Sequence, residues 1–180
     1  EDTEHDRLRI VYTIQRGVRH KLRAIDLKGN KRFDAATLQE RMATRDSDFL
    51  QPHGHYSQAL LTNDLQAIKN LYLTNGYQSV QVSSEILDDY NGVRGDMKIV
   101  VKVEEGALLR VGTLKIRGSH AVSEDEIRGM INTQAGQPFS EATVADDREV
   151  VMNYYFNRGF PNVQLESSAN YSDAAKTRMD

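Results

Sequence analysis

The side chains best suited to chemistry in this sequence are histidines and carboxylates, and their spacing limits what each can do. His53-Gly54-His55 offers two imidazoles one residue apart, with His20 and His5 elsewhere. A His-x-His pair in a loop supplies two donors, whereas a stable zinc site takes three or four fixed ones. The pair reads as a solvated loop, and no metal site is expected. Asp88-Asp89-Tyr90-Asn91-Gly92 puts carboxylates beside a glycine, without the twelve-residue spacing and closing glutamate of a calcium loop. It reads as a hairpin turn. The blocks Glu124-Asp125-Glu126 and Asp146-Asp147 read as helix openings, where the macrodipole favours acids. There is no Gly-rich phosphate loop, no Gly-x-Ser-x-Gly and no His-Glu-x-x-His. The 180 residues hold no cysteine, which excludes disulfides, a thiol nucleophile and thiolate metal sites. Catalytic residues, metals and cofactors are all expected to be none.

Charge points the same way. The chain is 27% charged with a net charge of -3, a poor footprint for sequence-independent nucleic-acid binding, which needs a basic surface. No apolar run approaches the roughly 18 residues of a membrane-spanning helix.

What organises the chain is an internal repeat. Ile99-Val100-Val101-Lys102-Val103-Glu104-Glu105-Gly106 follows Ile10-Val11-Tyr12-Thr13-Ile14-Gln15-Arg16-Gly17 at an offset of 89, and Gly118 follows Gly29 at the same offset. Tyr155 to Phe160 follows Tyr72 to Tyr77 at an offset of 83. One length change explains the difference of six: 14 residues, 43–56, stand against 8 residues, 132–139.

Each copy reads as strand, helix, helix, strand, strand. Alternating apolar residues predict first strands over 22–28 and 110–117, with Ile25 and Leu27 or Leu114 and Ile116 on one face. Asp34 is placed to cap the first helix of copy one; Ser123 and Glu126 form a capping box in copy two. Leu38 and Met42, or Ile127 and Ile131, lie four apart on the buried stripe. Ser57 and Ser140 cap the longer second helices. Leu61, Leu65, Ile68 and Tyr72 run down one face, as do Val144, Val151 and Tyr155, with Arg148 the exception. Gly76 and Gly159 suit the left-handed residue that ends a helix. Second strands are predicted over 77–86 and 162–168, and a third over 97–104. Because only one face of each strand is apolar, the two helices must cover one face of the sheet. Residues 8–15 read as a third strand with no elements before it, and the second copy stops where its third strand should begin. The chain is therefore expected to be an excerpt. Residues 1–17 would be the last strand of a preceding unit, 18–106 a complete unit, and 107–180 a unit lacking its final strand.

These features together resemble POTRA domains. The resemblance rests on the β-α-α-β-β order, the Tyr-x-x-x-Gly-aromatic step at Tyr72–Tyr77 and Tyr155–Phe160, the third strand ending in Glu105-Gly106 and the first ending in Gly29-Asn30. Val18 and Ala107 stand where the family commonly has proline, and Arg16 replaces a glutamate before Gly17. The resemblance implies an α+β fold of tandem units, each a three-stranded mixed sheet covered on one face by two antiparallel helices. It places the third strand in the centre and the other two at the edges. It also implies a periplasmic interaction module of an outer-membrane protein assembly or transport machine, the soluble part of a protein with a C-terminal membrane barrel. Its partners would be unfolded barrel precursors or assembly lipoproteins, added as strands to a sheet edge.

An edge strand can take an extended peptide largely regardless of sequence, and soluble proteins blunt such edges with charge, proline or bulges. Asp26, Lys28, Lys115 and Arg117 blunt the first strands. Ser79, Val80, Gln81, Val82, Ser83 and Ser84 carry no charge, proline or glycine, and make the preferred docking edge. Val163, Gln164 and Leu165, between Pro161 and Glu166, form a secondary edge. Leu71, Tyr72 and Tyr77 are candidates to line a groove beside the preferred edge. The short links at 17–21 and 106–109 restrict the angle between units. By register, residues 8–15 of one molecule could fill the incomplete sheet of another in a crystal. Two other readings compete. A KH-like nucleic-acid-binding module also packs two helices on three strands but needs a Gly-x-x-Gly loop, absent from 43–56 and 132–139. POTRA units of a two-partner-secretion or organelle import channel would share the fold.

Overall fold

The computed structural model describes residues 10–15, 19–171 and 178–179. Its elements run β1 (Lys21–Lys28), α1 (Ala35–Glu40), α2 (Gln58–Thr74), β2 (Gln81–Asp88), β3 (Asp96–Glu104), β4 (Arg110–Val111), α3 (Glu124–Met130), α4 (Glu141–Asn157) and β5 (Arg178–Met179). The first five complete one α+β unit. Its sheet has the order β1-β3-β2, with β1 parallel and β2 antiparallel to the central β3. Strand alternation decides what is buried. Met97, Ile99, Val101 and Val103 of β3 pack with Leu22, Leu38, Met42, Leu61, Ile68 and Tyr72 in one core under the helices. On the other face Lys98 pairs with Asp26 and Lys102 with Glu85, each at 2.6 Å.

Helix starts follow the capping residues. Asp34 Oδ1 accepts from Thr37 N, Ser57 Oγ from Leu60 N, Ser123 Oγ from Glu126 N and Ser140 Oγ from Thr143 N. Half of the expected capping box is rearranged: the Glu126 carboxylate is engaged by the Tyr154 hydroxyl and by Arg158. The block 124–126 does open α3. Asp147 does not open a helix; it lies a turn and a half inside α4 and is buried.

The 43–56 insertion has a definite structure. Arg45 and His55 pair backbone to backbone, and the Arg45 guanidinium caps the Met42 and Thr44 carbonyls. Its far end carries Phe49 and Leu50, both exposed.

The second unit departs from expectation. Of the strand predicted over 110–117, only Arg110–Val111 pairs, with β5 in parallel. Residues 162–168 form no strand, so Val163, Gln164 and Leu165 are not a sheet edge. The reason is backbone pairing: the only central strand in this unit among the described residues is the two-residue β5, too short to order its neighbours. Of the strand predicted over 8–15, Leu8 and Arg9 lie outside the described residues, and 10–15 are exposed and carry no strand.

The units meet at one corner. Leu109 N donates to Gly76 O (2.8 Å), and Gln78 Nε2 donates to Phe139 O (3.0 Å). Gly76 has φ +90°, and a Cβ there would stand 2.6 Å from Leu109 O and 2.9 Å from Pro138 Cβ. The helix end thus needs glycine twice, for its backbone angle and for the neighbour pressed on it.

A candidate strand-docking edge

The candidate edge strand starts two residues later than predicted, at Gln81. Gly76 ends α2, Gln78 Nε2 reaches back to Leu73 O, and Val80 N turns onto Tyr77 O. Ser79 and Val80 therefore belong to a turn, and Val80 is buried in the core. Strand pairing runs from Gln81↔Glu104 to Asp88↔Met97. Within β2, Val82 and Ile86 pack toward the helices, while Gln81, Ser83 and Glu85 face solvent.

Both outer strands are edges, and they differ in one respect. The edge of β1 is occupied at its start: Leu22 N donates to His53 O (3.1 Å) and Leu22 O accepts from Ser47 N (2.7 Å). Both partners belong to the 43–56 insertion. That role was invisible in the sequence, where the insertion stood out only by its length. Among the described residues, β2 makes no backbone hydrogen bond outside its sheet. Its first four residues, Gln81, Val82, Ser83 and Ser84, are uncharged; its second half carries Glu85, held below the ordinary carboxylate pKa by Lys102, and Asp88. The open stretch is therefore 81–84.

Two of the three groove residues are core residues. Tyr72 is 0% and Tyr77 9% exposed, and their rings pack edge to face with 5.6 Å between centroids. Phe33 extends the stack on the other side of Tyr72 at 5.0 Å. Leu71 is half-buried against the same core. An aromatic at helical spacing buries more area inside a small core than on its surface.

Tyr72 has a further task. Its hydroxyl donates to Glu105 Oε1 at 2.9 Å, and the same oxygen accepts from Lys31 N (2.6 Å) and Arg32 N (2.7 Å). One carboxylate thus ties the end of β3 to α2 and to the loop after β1. Burial, then the Glu105 hydrogen bond, push the Tyr72 phenol well above its ordinary value of 10.0. The folded pKa exceeds the unfolded one, so this contribution is complete below about pH 10 and is lost as pH rises further. Tyr72→Phe should lower unfolding free energy by about 1–2 kcal/mol and flatten the fall in stability above pH 10. Urea unfolding at pH 7 and at pH 11 checks both; a variant as alkali-sensitive as the parent would refute the assignment.

Among the described residues, His53 and His55 go to different partners. The His53 ring meets the Arg19 guanidinium at 2.5 Å, while His55 pairs its backbone with Arg45.

A family model described as POTRA, surface antigen variable number repeat, matches residues 20–106 and again 109–179. A putative outer membrane protein assembly factor of Treponema pallidum is 22% identical over 177 residues, 96% of this chain and 20% of that protein. Outer membrane protein assembly factor BamA of Buchnera aphidicola is 22% identical over 166 residues, 91% of this chain and 27% of that protein. The chain thus spans about a fifth to a quarter of these curated relatives. The crystal structure of Haemophilus influenzae BamA POTRA3-5 superposes with a TM-score of 0.57 at 23% identity, covering 92% of this chain and 66% of that one.

Proposed function

Because the chain belongs to the POTRA family, whose model matches it twice in succession, we propose that it is a periplasmic interaction module of an outer-membrane protein assembly machine. In this reading 18–106 and 107–180 are two units, and 1–17 closes a unit before them. The module works by binding, not catalysis. It takes extended segments of unfolded barrel precursors, or of an accessory lipoprotein, as added strands on the edge of β2.

The observation that carries this reading is the contrast between the two edges. Leu22 of β1 already has both backbone groups bonded to the insertion, while β2 keeps its outer backbone groups and an uncharged run at 81–84. A guest strand there would bond to main chain, giving affinity across many sequences, as a handler of diverse precursors needs. Two curated relatives are named as outer membrane protein assembly factors, which supports the setting.

The test is a titration of the isotope-labelled chain with a ten-residue peptide of alternating apolar and polar residues. Amide signals of 81–84 are expected to move first. Gln81→Lys with Ser83→Lys should weaken binding about fivefold or more, since edge lysines oppose strand addition, with the melting temperature nearly unchanged. Signal changes confined to α2 or to 43–56 would defeat the edge reading.

A further inference from the structure

The start of β1 and the end of the 43–56 insertion enclose a cavity of about 460 Å³. Leu22 and Met97, both buried, form its apolar floor, and Arg19, His20, His53 and Tyr56 stand around it. The repeat shows what is unusual in that lining. Leu22 N donates to His53 O as Val111 N donates to Gln137 O, so the two units build this corner alike. In the second unit the corner is filled, with Leu109, Val111 and Phe139 buried in one apolar cluster. At the offset of 89, Arg19 and His20 stand in the places of Leu108 and Leu109; at 83, Tyr56 stands in the place of Phe139. The first unit keeps the floor and exchanges the apolar filling for a guanidinium, imidazoles and a phenol.

These groups are not matched by acids. The Arg19 guanidinium meets the His53 ring instead of a carboxylate. A guanidinium only donates, so His53 Nε2 accepts and Nδ1 carries the ring hydrogen, which has no partner among the described residues. Among the described residues no carboxylate lines the cavity. Two acids of the flanking segments are already engaged: Asp96, next to Met97, holds Arg23 at 2.6 Å, and Asp48 accepts from Gln51 N.

We propose that this corner is an anion site that takes the phosphate group of a small ester, with the ester's apolar part on Leu22 and Met97. A guanidinium forks onto two phosphate oxygens, and imidazole N–H groups serve the rest. Phosphate brings more charge and more acceptor oxygens than a carboxylate, which suits three donor side chains better. The ester is either soluble or the headgroup of an anionic lipid, since the recognising chemistry is the same. The site shares no residue with the β2 edge and stands or falls without it.

The test titrates the isotope-labelled chain with phenyl phosphate. Amide signals of 19–22 and 53–56 are expected to move, with a dissociation constant at least about tenfold below that of benzyl alcohol, which has the ring without the charge. Arg19→Ala with His53→Ala should weaken binding at least about tenfold. Both side chains are exposed, so the melting temperature of that variant should stay within about 2 °C of the parent. Arg19→Leu with His20→Leu, which installs the second unit's residues, should weaken binding as much. Vesicles separate the two sources. Sedimentation of the chain with phosphatidylglycerol and not with phosphatidylcholine, lost in the alanine variant, assigns a lipid headgroup; a chain that binds phenyl phosphate but stays in solution with both assigns a soluble ester. The proposal is overturned if phenyl phosphate moves no signal in these segments, if the alanine variant binds as tightly as the parent, or if benzyl alcohol or benzoate binds as tightly as phenyl phosphate.

Discussion

Alanine in place of Asp64 should cost the first unit about 3–5 kcal/mol, enough to unfold much of it, since a whole domain is stable by only about 5–15 kcal/mol. Asp64 is 3% exposed, and its two oxygens accept from Ala43 N at 2.7 Å and Thr44 N at 2.9 Å. These amides lead the inter-helix segment out of α1. Without the carboxylate, the buried Thr44 N and the part-buried Ala43 N lose their acceptor, at up to about 1–3 kcal/mol each. Asp64→Asn keeps one oxygen and turns an amide N–H₂ at the other donor, so its cost should be intermediate. The second unit repeats the arrangement: Asp147 accepts from Asn132 N (2.7 Å) and Thr133 N (2.8 Å). Asp147→Ala should therefore melt the second unit and leave the first folded. Urea unfolding followed by amide signals from each unit reads out both; a shift below about 1 kcal/mol for either alanine would show that the loops are held by something else.

Gly29→Ala and Gly118→Ala should differ sharply although the residues are equivalent in the repeat. Both have positive φ, +84° and +77°, so each alanine pays a backbone strain of about 1 kcal/mol. At Gly29 the added Cβ would overlap Val103 O on the central strand, a backbone atom that cannot move without breaking the β1–β3 ladder. At Gly118 it meets nothing within 4 Å. We expect Gly29→Ala to destabilise by about 3 kcal/mol or more and Gly118→Ala by about 1 kcal/mol. Denaturant midpoints of the two variants decide the matter, and equal losses would mean that φ alone governs both sites.

The repeat and most of the fold were legible because they rest on local rules. Four capping residues and the alternation in β3 each place their element through interactions within a few residues. The misreadings came from interactions that only the tertiary structure supplies. Residues 77–80 alternate as a strand does, but Gln78 is pulled onto the Leu73 and Phe139 carbonyls, and the chain turns before pairing can start. Tyr72 and Tyr77 looked like groove walls because burial is not visible in a side chain's type. Asp147 looked like a helix opener because its neighbour Asp146 made a charged pair with it. A signal did exist: Asp64 and Asp147 occupy matching repeat positions, Asp64 beside the apolar stripe of Leu61, Leu65, Ile68 and Tyr72, and a polar residue repeated there asks for a buried partner. The proposed docking edge was half legible. Its lack of charge could be read from residue types, whereas the covering of β1 by the insertion could not.

The parallel pairing of β1 with β3 also decides how the first unit answers tension. The chain enters at Lys21 and leaves past Glu104, at opposite ends of two strands paired from Lys21↔Asp96 to Lys28↔Lys102, with one register shift between Leu22 and Ala24. A pull on those two points slides the strands lengthwise, so the rungs between them bear the load together instead of unzipping one after another. β2 lies off that line of force, and a strand could come and go there while the chain is taut.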